Sequence, residues 1–322
     1  MNGRLGNFIR DKWAKLIVAY HNQILLPKKK DIFLKWVQHA KPKNNYLDFF
    51  TEEQRTVEIR NWEKERENII LTCYFTLKKD PQLGIIRRNP NIEYIRSWYD
   101  SIVNNKLYGV ILHDGLNEEF IEQHENDFVK FRKITYGNYS IFEERWFAYY
   151  QFILESQVQQ VFLTDCNDVF ITKNPFQLTL NVNKLYIGRD CANKIYHSGW
   201  LEEERKRFEK DADFQFPKTY VYQHVYNAGV VGGEARVVKA VAAEIINLTL
   251  RTQTEGHKDM TLINLVIHQY FPVFLQYSAA NKPLVNPEND PYASCNHLVS
   301  GYPLNSLFKG YEYDSDAYFI HK

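Results

Sequence analysis

From residue 69 onward, short runs rich in β-branched and aromatic residues alternate with stretches of helical periodicity, an order that few folds accommodate. Residues 69–77 (IILTCYFTL) read as a buried strand, and residues 91–104 as a helix with Ile92, Ile95, Tyr99 and Ile102 on one face. Residues 107–112 make a second strand that ends at His113-Asp114-Gly115, residues 118–124 a short helix, and residues 128–135 a third strand. An aromatic stripe of Phe142, Trp146, Tyr149 and Ile153 marks a helix over 141–156, and a strand over 160–163 then runs straight into Thr164-Asp165-Cys166-Asn167-Asp168. Repeated β–α steps of this kind predict a helix-flanked, parallel sheet. Ligands of such sheets bind beyond the carboxyl ends of the strands, so Asp165 and Asp168 fall where chemistry is expected. Strands over 185–188 and 225–233, helices over 235–250 and 259–270, and a polar, charged stretch over 190–213 follow; from residue 280 the chain has little periodicity.

A chain of 322 residues has room for one large α/β domain and an appendage. The division predicted is a basic helical appendage over 1–68 and a catalytic domain over 69–322. The formal charge of +1 conceals an asymmetry: residues 1–43 carry ten Lys or Arg against Asp11 and Asp31, a local +8, which leaves about −7 for the rest. The main domain therefore lacks the basic field of a nucleic-acid binder, and no nucleic-acid partner is expected. The basic segment reads either as a helical cap or as an attachment to an anionic membrane surface. Aromatic residues at 15% point first to thick packing between layers. The widely spaced Cys73, Cys166, Cys191 and Cys295 form no CxxC pair and read as reduced thiols. With no apolar run of membrane-spanning length and no leader pattern at the start, the expectation is a cytoplasmic protein, peripheral at the inner face of the membrane.

Two aspartates after a hydrophobic strand are by themselves ambiguous, since such residues also cap helices or stand in solvated loops. Their neighbours narrow the choice. The run VFLTDCNDVFITKNPF (161–176) resembles the metal-binding segment of GT-A glycosyltransferases, in which a strand leads into an Asp-x-Asp motif and a short apolar run. YNAGVVGGEA (226–235) resembles the later strand end that lines the donor-sugar pocket, and KDMTLINLVI (258–267) the helix start that carries an acidic residue beside the acceptor. Phe319-Ile320-His321-Lys322 resembles the returning C-terminal segment. The spacing departs from the family pattern: Cys166 and Asn167 separate the carboxylates, so Asp168 matches the metal-binding position and the part of Asp165 stays open between ribose, water-mediated and direct metal contact.

The resemblance implies a GT-A, Rossmann-like mixed sheet flanked by helices, and transfer of a sugar from a nucleoside-diphosphate sugar to a glycan or lipid-linked glycan. It implies Mn2+ or Mg2+ on Asp168, His321 and Asp165, because hard oxygen ligands leave positions open for a diphosphate. Arg145 and Lys322 would meet the diphosphate side, Thr72, Tyr74 and Asp114 the nucleoside, and Gly229, Gly232 and Gly233 would let backbone approach the sugar. Asn227 and Asp259 are the candidate catalytic residues, in an order that looks like the retaining pattern. Bland roles stand beside several of these: Thr72 and Tyr74 as buried strand residues, Asp114 as a turn former, Arg145 as an exposed helix residue, Asp259 as an N-cap. The rival readings are a non-catalytic carbohydrate- or nucleotide-binding protein of the same fold and a sugar-phosphate nucleotidyltransferase, although residues 76–81 lack the glycine-rich loop of the latter.

Overall fold

The computed structural model describes residues 12–13, 15–17, 19–20, 23–24, 26–42, 55–178, 185–194, 199–212, 214–216, 220, 224–252, 258–271, 299–301 and 318–321. Its centre is a six-stranded sheet built from β1 (Asn68–Tyr74), β2 (Gly109–His113), β3 (Val129–Lys133), β4 (Gln160–Thr164), β6 (Leu185–Lys194) and β7 (His224–Glu234), in the order β3-β2-β1-β4-β7-β6. The strands β3, β2, β1 and β4 are mutually parallel, with Thr72 in register with Ile111 on one side and Thr164 on the other. Beyond these, β7 runs antiparallel to both β4 and β6, so the sheet as a whole is mixed, as the family resemblance implies.

Helices cover both faces. The helix α1 (Leu26–His39) buries Phe33 and Val37, and Trp36 stacks on Tyr270. On the opposite face α2 (Ile92–Asn104) starts where the Asn91 side chain accepts the Glu93 N–H, and it buries Ile95, Trp98 and Ile102. The short α3 (Glu118–His124) is capped in the same way by Asn117. Next in the chain come α4 (Ile141–Glu155), α5 (Gly199–Ala212), α6 (Ala235–Thr249) and α7 (Asp259–Tyr270). Two cores result, one on each face of the sheet. One joins α1, α4, α6 and α7 to the sheet, and the other holds Trp98, Phe120, Phe162, Tyr186 and Phe319. The aromatic load is spent here: Phe162 alone lies within ring-contact distance of Phe176, Tyr186 and Phe319.

A second, three-stranded sheet, β5 (Val169–Ile171), β8 (Val299–Gly301) and β9 (Phe319–His321), takes the order β5-β9-β8. The apolar Phe319 is fully buried, which anchors β9 and brings His321 into register with Val169, immediately after Asp168. Strand β6 is longer than its apolar run because β7 supplies a partner through Lys194, and the charged stretch after it contains α5, whose Arg205 pairs with Glu202 and Glu209.

Candidate active site

At the carboxyl ends of β1 and β4 lies a cleft of about 280 Å³, lined among others by Cys73, Arg145, Tyr149, Asp165, Cys166 and Asp168. Three metal-type ligands meet beside it, and two of them, Asp165 and Asp168, line it. Asp165, Asp168 and His321 each offer one ligand atom, and these atoms all lie within 4.8 Å of one another. Nε2 of His321 stands 3.5 Å from Asp168 Oδ2 and 3.7 Å from Asp165 Oδ2. Burial disfavours a charged imidazole, yet the hydrogen bond to Asp168 and the charges of both aspartates outweigh it, and His321 is held above its usual range. Asp168 Oδ1 is buried without a hydrogen-bond partner, an arrangement costly for a carboxylate unless something cationic answers it. The donor set of two carboxylates and an imidazole fits a divalent cation.

The backbone explains how His321 gets in. Between β6 and β7 the register jumps, with Ile187 opposite Val231 but Gly188 opposite Asn227, so residues 228–230 form a bulge relative to β6. Asn227 closes the bulge by accepting the Gly229 N–H at 2.6 Å, and the Gly229 carbonyl accepts the Asp165 N–H at 2.9 Å. A Cβ on Gly229 would collide with the imidazole of His321. That glycine makes room for a metal-type ligand of the chain itself. Gly232 is needed for a different reason, since a Cβ there would enter the Phe162 ring, and Gly233 has φ 137°, open to glycine.

Arg145 joins two distant segments. Its guanidinium pairs with Asp165 through Nη1 and with Asp259 through Nη2, while Nε stays buried and unpartnered. Burial would discourage its charge, but the two aspartates overcome this and hold it firmly protonated. Asp259 is itself buried as the first residue of α7, with Lys258 in the capping position, and its other oxygen accepts the Met260 N–H. It acts on Arg145 and is not among the residues lining the cleft. Next to it, Glu143 accepts the Lys258 N–H and the Ser140 hydroxyl, and burial followed by the charge of Asp259 raises its carboxyl to about 7.

No family model matches this chain, and no curated protein matches it. Among solved structures it is similar to the galactosyltransferase LgtC in complex with donor and acceptor sugar analogs, over 62% of this chain and 70% of that one, at 12% identity and a TM-score of 0.38. It is also similar to the apo form of the glycosyltransferase GlyE of Streptococcus pneumoniae, over 63% of this chain and 43% of that one, at 13% identity and a TM-score of 0.39. Likeness at this level transfers no residue roles; the side chains of the site have to carry the functional reading.

The structure does not bring the nucleoside-side candidates to the cleft. Thr72 is fully buried and its hydroxyl donates to the Thr164 carbonyl at 2.7 Å. Tyr74 is buried in the layer beneath, with its hydroxyl accepting the Asn91 N–H at 3.1 Å. Asp114 takes the turn-forming role: one oxygen accepts the Thr76 N–H and hydroxyl, and the other accepts the Leu77 N–H. Cys73 and Phe75 line the cleft instead, because alternate strand residues face opposite sides. Sequence reasoning missed the loop after β1, which contributes Asp80, Gln82, Leu83 and Arg87 to the cleft wall. Its signal was position alone, a Pro- and Gly-bearing loop at a strand's carboxyl end. Lys322 lies outside the described residues. Cys166 is buried and Cys73 partly so, both as free thiols, and burial pushes the Cys73 thiol up to about 12.

Proposed function

We propose that this protein is a metal-dependent glycosyltransferase of the GT-A type, moving a sugar from a nucleoside-diphosphate sugar to a glycan or lipid-linked glycan acceptor. The observation that carries the reading is the convergence of Asp165, Asp168 and His321 at the carboxyl end of β4, from segments more than 150 residues apart, with Asp168 Oδ1 left unanswered. These three residues would hold Mn2+ or Mg2+, which when bound would neutralise the charge that gathers on a departing diphosphate. Arg145 fixes the orientation of Asp165, and Asp259 fixes Arg145. Asn227 shapes the bulge against which a donor sugar would rest.

The same arrangement supports retention of configuration. An inverting enzyme needs a carboxylate base beside the acceptor hydroxyl. Among the described residues lining the cleft, the carboxylates are Asp165 and Asp168 of the cluster and Asp80, which is paired with Arg87 at 2.9 Å. The basic segment 1–43 serves, on this reading, to hold the enzyme at an anionic membrane surface; among the described residues no helix is long and apolar enough to cross a membrane.

Donor hydrolysis tests the reading directly. The purified protein, offered a panel of nucleoside-diphosphate sugars, is expected to release nucleoside diphosphate slowly with manganese and not after chelation. Silence across the panel with manganese present would leave a binding protein, and metal-independent release would remove the cluster from the chemistry.

A further inference from the structure

Among the described residues the exposed large hydrophobic side chains are not scattered. All except Tyr108, Leu154 and Phe170 fall in two segments, residues 13–34 and residues 77–86. The second segment borders the cleft, and its exposed side chains are Leu77, Leu83, Ile85 and Ile86, between 40% and 61% exposed. Apolar chains standing together in water mark a surface that meets something else.

This loop is built to hold them outward. Asp80 is its hub: Oδ1 accepts the N–H groups of Gln82 and Leu83, Oδ2 pairs with Arg87, and its backbone closes bonds with Gly84 and Ile85. Gly84 takes the left-handed conformation, φ 71°, that the turn demands. With the polar groups turned inward, the aliphatic side chains are left facing solvent. The outward charge is of one sign. Lys79 and Arg88 are exposed, while the single carboxylate of residues 77–90 is the buried Asp80.

An aliphatic surface fringed by cations complements an anionic bilayer, which offers phosphate outside and hydrocarbon beneath. Residues 13–34 have the same character, with Trp13, Leu16, Tyr20 and Ile24 exposed at three- and four-residue spacing beside exposed Lys12 and Lys15. We propose that the loop over residues 77–88 is a lipid-contacting rim, which sets the mouth of the cleft on an anionic bilayer and admits an acceptor whose lipid stays in the membrane. The acceptor half of this statement rests on the glycosyl-transfer reading above; the bilayer contact does not.

The test compares full-length wild type with the double variant Ile85→Ser/Ile86→Ser, whose side chains are exposed and lie outside the cleft lining. Sedimentation is measured at low salt with phosphatidylcholine vesicles, and with the same vesicles containing about a third phosphatidylserine. Wild type is expected to bind the anionic vesicles and not the neutral ones, and the variant to bind about tenfold more weakly. The variant's unfolding midpoint and manganese-dependent donor hydrolysis should match wild type. Three results would overturn the proposal: wild type that ignores anionic vesicles, equal binding to neutral ones, or undiminished binding by the variant. Lipid-free self-association that the variant abolishes would also overturn it, by assigning the surface to a second copy. Absent donor hydrolysis with normal vesicle binding would overturn the glycosyl-transfer reading and keep the lipid contact.

Discussion

Asp114 and Asp168 look alike in sequence: each is an aspartate shortly after a parallel strand, at the same edge of the sheet. In the structure they are opposites. The Asp114 carboxylate accepts three hydrogen bonds from Thr76 and Leu77 and does not line the cleft. One oxygen of Asp168 is buried with no partner, and the other faces an imidazole and a second carboxylate. A satisfied buried carboxylate ties loops together, whereas an unsatisfied one stores an unfavourable field that a cation relieves. What separates the two is what each leaves unpaired; strand-end position alone does not distinguish them.

The contrast can be broken by mutation. Asp168→Ala should lower manganese-dependent turnover by about a thousandfold, roughly 4 kcal/mol of transition-state stabilisation, with an unchanged unfolding midpoint. Near-normal turnover in that variant would sink the metal assignment. Asp114→Ala should do the reverse. Removing its carboxylate strands three donors, a loss of about 3 kcal/mol in urea unfolding, while turnover per folded molecule stays within about twofold. Loss of donor affinity without loss of stability would return Asp114 to the nucleoside site.

Much of the frame was readable from hydrophobic period. The segments 118–124 and 259–270 match their helices end to end, and β4 runs into Asp165 as its apolar run demands. What could not be read depends on long-range pairing. The antiparallel run of β7 carries no mark in its residues, since its apolar and glycine-rich run would suit either direction. Nothing local says that Arg145 reaches Asp259, 114 residues away, or that Gly229 is small so that His321 can enter. The Thr72 and Tyr74 assignments depended on which face each strand residue presents, and a one-residue offset put Cys73 and Phe75 in the cleft instead.

Glu143 occupies a middle position between the two aspartates, buried and hydrogen-bonded yet reluctant to ionise. Burial, reinforced by Asp259, raises its carboxyl from its ordinary value near 4.5 to about 7, against the hydrogen bonds from Ser140 and Lys258. The folded protein thus keeps a proton that the unfolded chain has released. Stability from this group is fully present below about pH 4.5 and is lost as pH rises through about 7, on the order of 3 kcal/mol in total. Glu143→Gln, which keeps an acceptor for the Lys258 N–H, should flatten that part of the profile. Urea unfolding of both proteins on either side of the window measures it, and parallel profiles would show that Glu143 ionises at its ordinary pH.

The smallest expected effect sharpens the comparison most, because it concerns a hydroxyl. Thr72 is wholly buried in β1, in register with Thr164 of β4, and its side chain donates to the carbonyl of Thr164, the last residue before Asp165. Thr164 is fixed from its other side, where Trp98 donates its indole N–H to the Thr164 hydroxyl at 2.7 Å. Thr72 therefore steadies the strand end that carries the aspartates without reaching the cleft. Thr72→Val preserves shape and removes one donor, so it should cost about 1 kcal/mol of stability. Turnover should fall no more than about twofold, since Trp98 still holds Thr164, and the KM for donor should not move. If Thr72 instead met the ribose, the same substitution would leave a sugar hydroxyl unpaired and raise the donor KM about tenfold at unchanged stability. The split between KM and unfolding free energy decides between a strand-end brace and a ligand contact.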